Sequence, residues 1–413
     1  MVASRFGRVL RRGAAPLPRT RRSLSGAALA QLGAQRFYVQ PGERRAYGPL
    51  GAELKKNLLQ QWWASALGCS RERILPIGSP LKLANGVTAV AARALPFAVS
   101  DRGSDRAGAL QQYVPSLDLV GRRLPFGLAE SGVCFPASEE ALRGVELRCS
   151  PVTSAAEVTL ASLAWFSSPR TSSQWLDHWT RQRMKWWRRF ASTPSDFTSS
   201  DVDSKDLKSG TSHGVRILYR FPWGSEPLET LWSLGDTELL RTHQGARTKL
   251  QCRDGRRSVV PYVISMSSNM DHGLLAYLSN SLQQVQKVDG KQRLHQRKVL
   301  KLHPALAPVK VALDMGRGAT VELRQVCEGL LQELQEAGIT AWPGYLETAP
   351  QSMEQLHTKY DEMGVLFTMV ISESTLESGL LHVRSRDTTI RETKHISEVK
   401  KFLLKYISAA ENI

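Results

Sequence analysis

The chain has 413 residues, with 55 Lys+Arg against 38 Asp+Glu, a formal charge of +17. That length holds two or three domains with real cores, and 42% hydrophobic with 23% charged residues excludes wholesale disorder. No run of eighteen apolar residues is present, which excludes a membrane-spanning helix, and five scattered cysteines (Cys69, Cys134, Cys149, Cys252, Cys327) without a CxxC pair fit neither a disulfide framework nor a zinc ribbon, but a reducing compartment.

Residues 1–38 hold eight arginines and no Asp, Glu or Lys; the first acid is Glu43. An Arg-rich, acid-free start interleaved with Ser, Ala and Leu reads as a mitochondrial transit peptide, with processing expected near Arg36-Phe37-Tyr38. A basic nucleic-acid-binding arm is the competing reading. Setting these eight arginines aside leaves 47 basic residues against 38 acidic ones, a surplus of +9. Such a surplus favours a polyanionic partner through long-range attraction.

Residues 39–298 alternate helical patterns with short strand-like runs, broken by Gly/Pro/Ser clusters around 76–80, 191–211 and 222–227. The polar segment Phe197–Gly210 is expected to be a flexible loop (about 191–211). Its Asp201 and Asp203 could chelate Mg²⁺, but a solvated turn is the better reading of so polar a loop. The stretch Ser172–Phe190 reads SSQWLDHWTRQRMKWWRRF. At helical spacing Trp175, Trp179, Trp186 and Phe190 share one face, while Arg181, Lys185 and Arg188 share another. The aromatic face is expected in the core, the basic face in solvent or against phosphate. A second basic stretch, Lys287–Lys301, reads as a linker.

Beyond His303-Pro304 the pattern sharpens. Val309–Leu313 and Val365–Ile371 are apolar runs of buried-strand type. Between them Thr320 can cap a helix whose apolar positions are Leu323, Val326, Cys327, Leu330, Leu334 and Ala337, ended by Gly338. Leu381–Arg386 alternates, and a last helix covers about Ser397–Ile407. This order predicts an α/β domain with a mainly parallel sheet. Gly316-Arg317-Gly318 is a plain turn rather than a phosphate cradle, since a third glycine is missing.

Several runs carry a family resemblance. Tyr47-Gly48-Pro49-Leu50-Gly51-Ala52-Glu53-Leu54-Lys55-Lys56-Asn57 with Trp62-Trp63 resembles the first motif of glycyl-tRNA synthetases, and Leu124–Phe135 resembles the strand entering their second class II motif. Gln174-Trp175, Trp179 and Trp186-Trp187 follow the same pattern, Val263–Leu278 stands in the place of the third motif, and Leu306–Lys401 is similar to the anticodon-binding domain of the glycyl/prolyl group. The fold this implies is an α+β class II synthetase-like core, an antiparallel sheet with flanking helices, over 39–298, then an α/β anticodon-binding-like domain over 299–413.

The departures from that pattern bear on function. The second motif carries Pro136-Ala137-Ser138 where synthetases have an Arg-Asn-Glu run. The third, Ser268-Asn269-Met270-Asp271-His272-Gly273, has His272 where the γ-phosphate arginine stands. Removing one such charge-stabilising group typically costs ~10²–10³ in rate, and an imidazole does not replace a bidentate guanidinium. A synthetase fold with an emptied site and a mitochondrial leader resembles the family of accessory subunits of mitochondrial DNA polymerase gamma. Lys301-Leu302-His303-Pro304, Trp342–Glu347 and Ser385-Arg386-Asp387-Thr388-Thr389 are the best-matching runs. The resemblance implies a non-catalytic processivity factor without cofactor or metal, placed in the mitochondrial matrix nucleoid, that binds the polymerase catalytic subunit and double-stranded primer-template DNA and forms a homodimer. The segment Leu75–Ala109 is shorter than the helical insert of vertebrate members, so the dimer is expected to rest on the first-motif helix, about Leu50–Leu67. Arg181, Lys185, Arg188, Arg189, Lys287, Lys291, Arg293, Arg297 and Lys298 are the candidate DNA contacts. Leu376, Gly379, Leu381 and Arg384 are the candidate contacts to the catalytic subunit. The alternatives are a mitochondrial tRNA- or RNA-binding synthetase-like protein and, behind it, an active glycyl-tRNA synthetase.

Overall fold

Helix α1 (Pro49–Gly68) shows how the sequence builds the body. Proline occupies its first turn, where no amide donor is needed, and Leu50, Leu54, Leu58, Trp62 and Ala66 recur every fourth residue to form one buried stripe. The computed structural model describes residues 37–39, 46–68, 73–78, 107–134, 158–203, 213–243, 247–288, 294–316, 320–347 and 352–411. Most of the expected leader, Pro136–Ser138 and most of Leu75–Ala109 lie outside the described residues. Phe37 and Tyr38, expected in the leader, belong to the folded body. Phe37 is 2% exposed within the main core, and β1 (Tyr38–Val39) pairs antiparallel with β2 (Ala46–Tyr47). The Phe37 carbonyl accepts from the Gly48 amide at 2.8 Å and lies where any Cβ on Gly51 would overlap it. That close approach is the physical reason for the first-motif glycine.

The strands β3 (Ile74–Pro76), β4 (Phe126–Cys134), β5 (Val158–Ser167), β6 (Phe197–Asp201), β7 (His213–Phe221), β8 (Gly224–Gly235) and β11 (Tyr262–Asn269) form one sheet in the order β3-β4-β5-β11-β8-β7-β6. Every pairing is antiparallel except β3 with β4. Alternation sends Ala129, Leu163, Trp165, Ile264 and Met266 to one face and Phe126, Leu128, Ala164, Phe166 and Val263 to the other. The first face is covered by α1, α4 (Ser172–Arg189) and α6 (Met270–Ser281). The second is covered by the short helices α2 (Ala107–Gln111), α3 (Tyr113–Ser116) and α5 (Thr237–Thr242). Two expectations are corrected here. Phe197–Asp201 is the edge strand of this sheet rather than loop, with Phe197 buried and its last three residues exposed. Asp201 is exposed, with His213 at 3.6 Å, and shares no site with the exposed Asp203. The stretch read as a linker is an antiparallel ribbon, β12 (Leu282–Val288) with β13 (Leu294–Leu300). Outside the sheet lies a small hairpin, β9 (Cys252–Asp254) with β10 (Arg257–Val259).

The C-terminal region folds as β14 (Val311–Met315), α7 (Thr320–Glu336), β15 (Ala341–Pro343), α8 (Met353–Met363), β16 (Phe367–Ile371), α9 (Glu373–Ser378), β17 (Leu380–Ser385), β18 (Arg391–His395) and α10 (Ile396–Glu411). The sheet order is β15-β14-β16-β17-β18. It is mixed rather than mainly parallel, since β17 and β18 join antiparallel. In α7, Leu323, Cys327, Leu330 and Leu334 form the buried stripe, and Gly338 takes the left-handed conformation, φ +73°, after the helix. One core runs from the synthetase-like body into this domain. Arg386 clasps the junction: Nη1 donates to the carbonyls of Leu300 (3.1 Å) and Gly364 (3.0 Å), and Nη2 to that of Leu302 (2.9 Å). The Asn57 amide of α1 reaches the carbonyls of Leu306 and Ala307, both at 3.3 Å.

Candidate nucleic-acid interface and the vestigial catalytic site

The joint from β11 to α6 is the third-motif position. Asn269 caps the helix by accepting from the amides of Asp271 and His272. Asp271 then ties three elements together: its Oδ2 accepts from the Thr159 amide at 2.6 Å, and its Oδ1 meets Lys55 Nζ at 2.8 Å and the Tyr47 hydroxyl. His272 is buried, with Nδ1 3.3 Å from the Pro227 carbonyl. Gly273 leaves no room for a Cβ because the Trp187 ring is seated on it. The motif's polar residues are thus absorbed into packing, and this turn presents no guanidinium to a triphosphate.

On α4 the expected division of faces holds. Trp179, Trp186 and Phe190 are buried and Trp175 half-buried, while Arg181, Lys185, Arg188 and Arg189 are exposed. Trp187, fully buried, widens the packed face. Arg188 is partly committed, since Nε and Nη2 donate to the Phe197 carbonyl at 3.2 and 2.8 Å. Arg181, Lys185 and Arg189 form no ion pair among the described residues. Sequence reasoning missed Arg183, which is buried and pairs with Glu229, Nε to Oε1 at 2.8 Å. Trp187 Nε1 donates to the same carboxylate at 2.6 Å. The signal was available: Arg183 stands four residues after Trp179 and four before Trp187, on the packed face.

The segments that follow α4 and the ribbon meet: Ser192 Oγ donates to the Lys301 carbonyl at 3.2 Å and the Phe190 ring meets that of His303 at 5.3 Å. Lys298 is half-buried there, Lys287 lies in β12, and Lys291 and Arg293 fall outside the described residues. Arg297 is corrected as a DNA contact: its guanidinium is bound to the buried Asp361 carboxylate. Asp361 also receives Arg384 in a bidentate pair, Nη1 to Oδ1 and Nη2 to Oδ2, both 3.0 Å.

That pairing corrects the proposed protein interface as well. Arg384 is 5% and Leu381 1% exposed, so both serve this chain's own interior. Gly379 ends α9 in the left-handed conformation, φ +70°, and a Cβ there would strike the His395 ring. Leu376 and Leu380 remain exposed at this edge. Deeper in the same sheet, Asp314 Oδ1 accepts from the Tyr360 hydroxyl at 3.0 Å, while Oδ2 is buried without a partner. Burial pushes the Asp314 carboxyl up from 3.8 to about 6. A raised pKa favours the protonated form in the folded state, so its stabilising contribution is full below pH 3.8 and lost as pH rises through about 6. Asp314→Asn is accordingly expected to raise the thermal midpoint at pH 7.5 and to lose that advantage in acid below the unfolded pKa, measured by paired melts.

Solved structures and curated sequences bear on these features. A prolyl-tRNA synthetase of Cryptosporidium parvum, crystallised with L-proline and AMP, superposes with a TM-score of 0.60 over 94% of this chain and 78% of that one; at 13% identity this shows the fold. Residues 306–406 match the anticodon binding domain family. A glycine–tRNA ligase of Deinococcus radiodurans is 28% identical over 71% of this chain and 60% of its own length. Fold and site together define a class II aminoacyl-tRNA synthetase-like body joined to an anticodon-binding domain. Two further relatives are more similar. DNA polymerase subunit gamma-2 of Bos taurus is 47% identical over 96% of this chain and 85% of its own. DNA polymerase subunit gamma-2, mitochondrial, of Xenopus laevis is 49% identical over 89% of this chain and 82% of its own. The chain belongs to the DNA polymerase subunit gamma-2 family.

Proposed function

We propose that this chain is the non-catalytic accessory subunit of a mitochondrial DNA polymerase, acting in the matrix nucleoid to hold the catalytic subunit on primer-template. Membership of the gamma-2 family carries the reading. The buried His272, facing a carbonyl where synthetases need a phosphate-clamping arginine, agrees with it. The physical role is a second attachment: a subunit that binds both the enzyme and the duplex raises the effective concentration of one for the other. The exposed row Arg181, Lys185 and Arg189 supplies sequence-blind backbone contacts in this reading. Homodimerisation through α1, whose last turn exposes Leu67, belongs to the same reading.

Primer extension by the catalytic subunit tests it. Added chain is expected to lengthen products formed in a single binding event, and excess tRNA is expected not to abolish the effect. No lengthening, or complete competition by tRNA, would overturn the proposal. For the contact itself, the exposed Leu376 and Leu380 are better probes than the corrected residues. Leu376→Glu with Leu380→Glu is expected to weaken association about tenfold or more, because a buried charge at an interface centre is costly, while the thermal midpoint stays put. An unchanged affinity by interferometry would relocate the docking edge.

A further inference from the structure

We propose that the chain carries a second surface for a nucleic-acid duplex backbone, built on the β9–β10 hairpin and the turn beside it. This rests on the duplex-binding reading above and extends it to residues on the opposite side of the seven-stranded sheet from α4. From Arg241 to Val260 the sequence holds six basic residues (Arg241, Arg247, Lys249, Arg253, Arg256, Arg257) and the single acid Asp254. Two of the six are neutralised nearby, Arg241 by Glu238 at 2.7 Å and Arg247 by Asp236 at 3.6 Å. Lys249, Arg253, Arg256 and Arg257 are exposed and make no ion pair among the described residues. Asp254, opposite Arg257 in the hairpin register, makes none either.

A fifth cation joins them from another segment. Arg123 is exposed and forms an isolated parallel β-bridge with Arg253 beside the hairpin. The Arg253 amide donates to the Arg122 carbonyl at 2.7 Å, and the Leu124 amide to that of Arg253 at 3.1 Å. Arg122 braces the arrangement from inside, donating through Nη1 to the carbonyls of Lys249 (3.2 Å) and Gln251 (3.4 Å). The hairpin stands on a fixed base: Leu250 and Cys252 are buried in the second core, and the buried Tyr113 hydroxyl donates to the Leu250 carbonyl at 2.8 Å.

Like charges facing each other across strands are destabilising, so Arg123 beside Arg253 is a local cost to the free chain that a row of phosphates would remove. The ligand class follows from what is missing. Neither Leu117–Leu124 nor Arg247–Val260 contains an aromatic residue, so this surface has no platform on which unpaired bases could stack. Cations alone, on a rigid hairpin, suit the regular backbone of a duplex.

The test uses the full-length chain, a labelled duplex and a potassium chloride series. Replacing Arg123, Lys249, Arg253, Arg256 and Arg257 together by Gln is expected to lower duplex affinity about 10–100-fold near 0.1 M salt. The log–log salt slope is expected to fall by up to about 4.5, at about 0.9 per phosphate contact. The melting midpoint is expected to hold or rise. Arg256→Gln with Arg257→Gln, at the exposed hairpin tip, serves as a second variant that places no like charge opposite Asp254 and is expected to weaken binding as far as loss of two contacts requires. If these variants bind duplex as the parent does while an α4 variant loses affinity, the second surface is wrong and the duplex-binding reading stands. If neither set loses affinity, both fail. A loss confined to phosphatidylserine vesicles, with duplex binding intact, also overturns the proposal.

Discussion

Asp361→Asn is expected to cost about 3–5 kcal/mol of folding stability, the usual penalty for removing one partner of a buried ion pair. The carboxylate is 1% exposed and faces two guanidinium groups, Arg384 from β17 and Arg297 from β13. Asparagine keeps the volume and one acceptor but leaves the buried Arg384 without a counter-charge. Guanidinium denaturation of the two proteins checks the magnitude. Arg297 is the more accessible arginine, at 19%, so Arg297→Gln is expected to cost less than Arg384→Gln. A double-mutant cycle between Asp361 and Arg297 is expected to show coupling, because the two share one network. The wider consequence is mechanical: together with Arg386 on the Leu300 carbonyl, this ion pair fastens the β12–β13 ribbon to the C-terminal domain.

Replacing Arg181, Lys185 and Arg189 together by Ala is expected to lower duplex affinity by up to about 10²-fold near 0.1 M salt, with the salt slope reduced by roughly 2.7. All three project from the solvent face of α4 and none is ion-paired among the described residues. Arg188 is left out because its bonds to the Phe197 carbonyl hold the edge strand β6, and its removal would mix folding with binding. The fall is expected to be uniform across duplex sequences, since backbone contacts carry no base information. Titrations on two unrelated duplexes measure it; a sequence-dependent loss, or none, would remove the row from the interface.

The elements legible in the sequence are those with a buried stripe of their own. The fourfold spacing in α1, the Leu-Cys-Leu-Leu stripe of α7 and the aromatic face of α4 all appear where the apolar spacing puts them. What escaped lacks such a stripe. In β6 only Phe197 is buried, so an edge strand reads as loop. The ribbon carries Gln283, Gln284, Gln286 and Lys287 on a strand paired on one side only, so it reads as a linker. For the candidate residues on α4 the exposed face was legible, whereas the partners of Arg297 and Arg384 were not. Nothing near Arg297 or Arg384 in the sequence announces Asp361, and only the folded chain brings them together. Leu381 was recoverable, because it shares the strand parity of Val383 and so had to face inward with it.

Phe37 sets a floor on N-terminal trimming. Its ring fills the core and its carbonyl sits in the space that Gly51 leaves free. Any peptidase that removes a leader from this chain must therefore stop before residue 37. Overshooting to Val39 would empty a phenyl-sized hole beside α1 and delete half of the β1–β2 pairing, a defect on the scale of about 3–5 kcal/mol for a lost core phenylalanine. Trimming and folding would thereby be coupled: a chain cut two residues too far would be weakened at the helix on which its first motif is built.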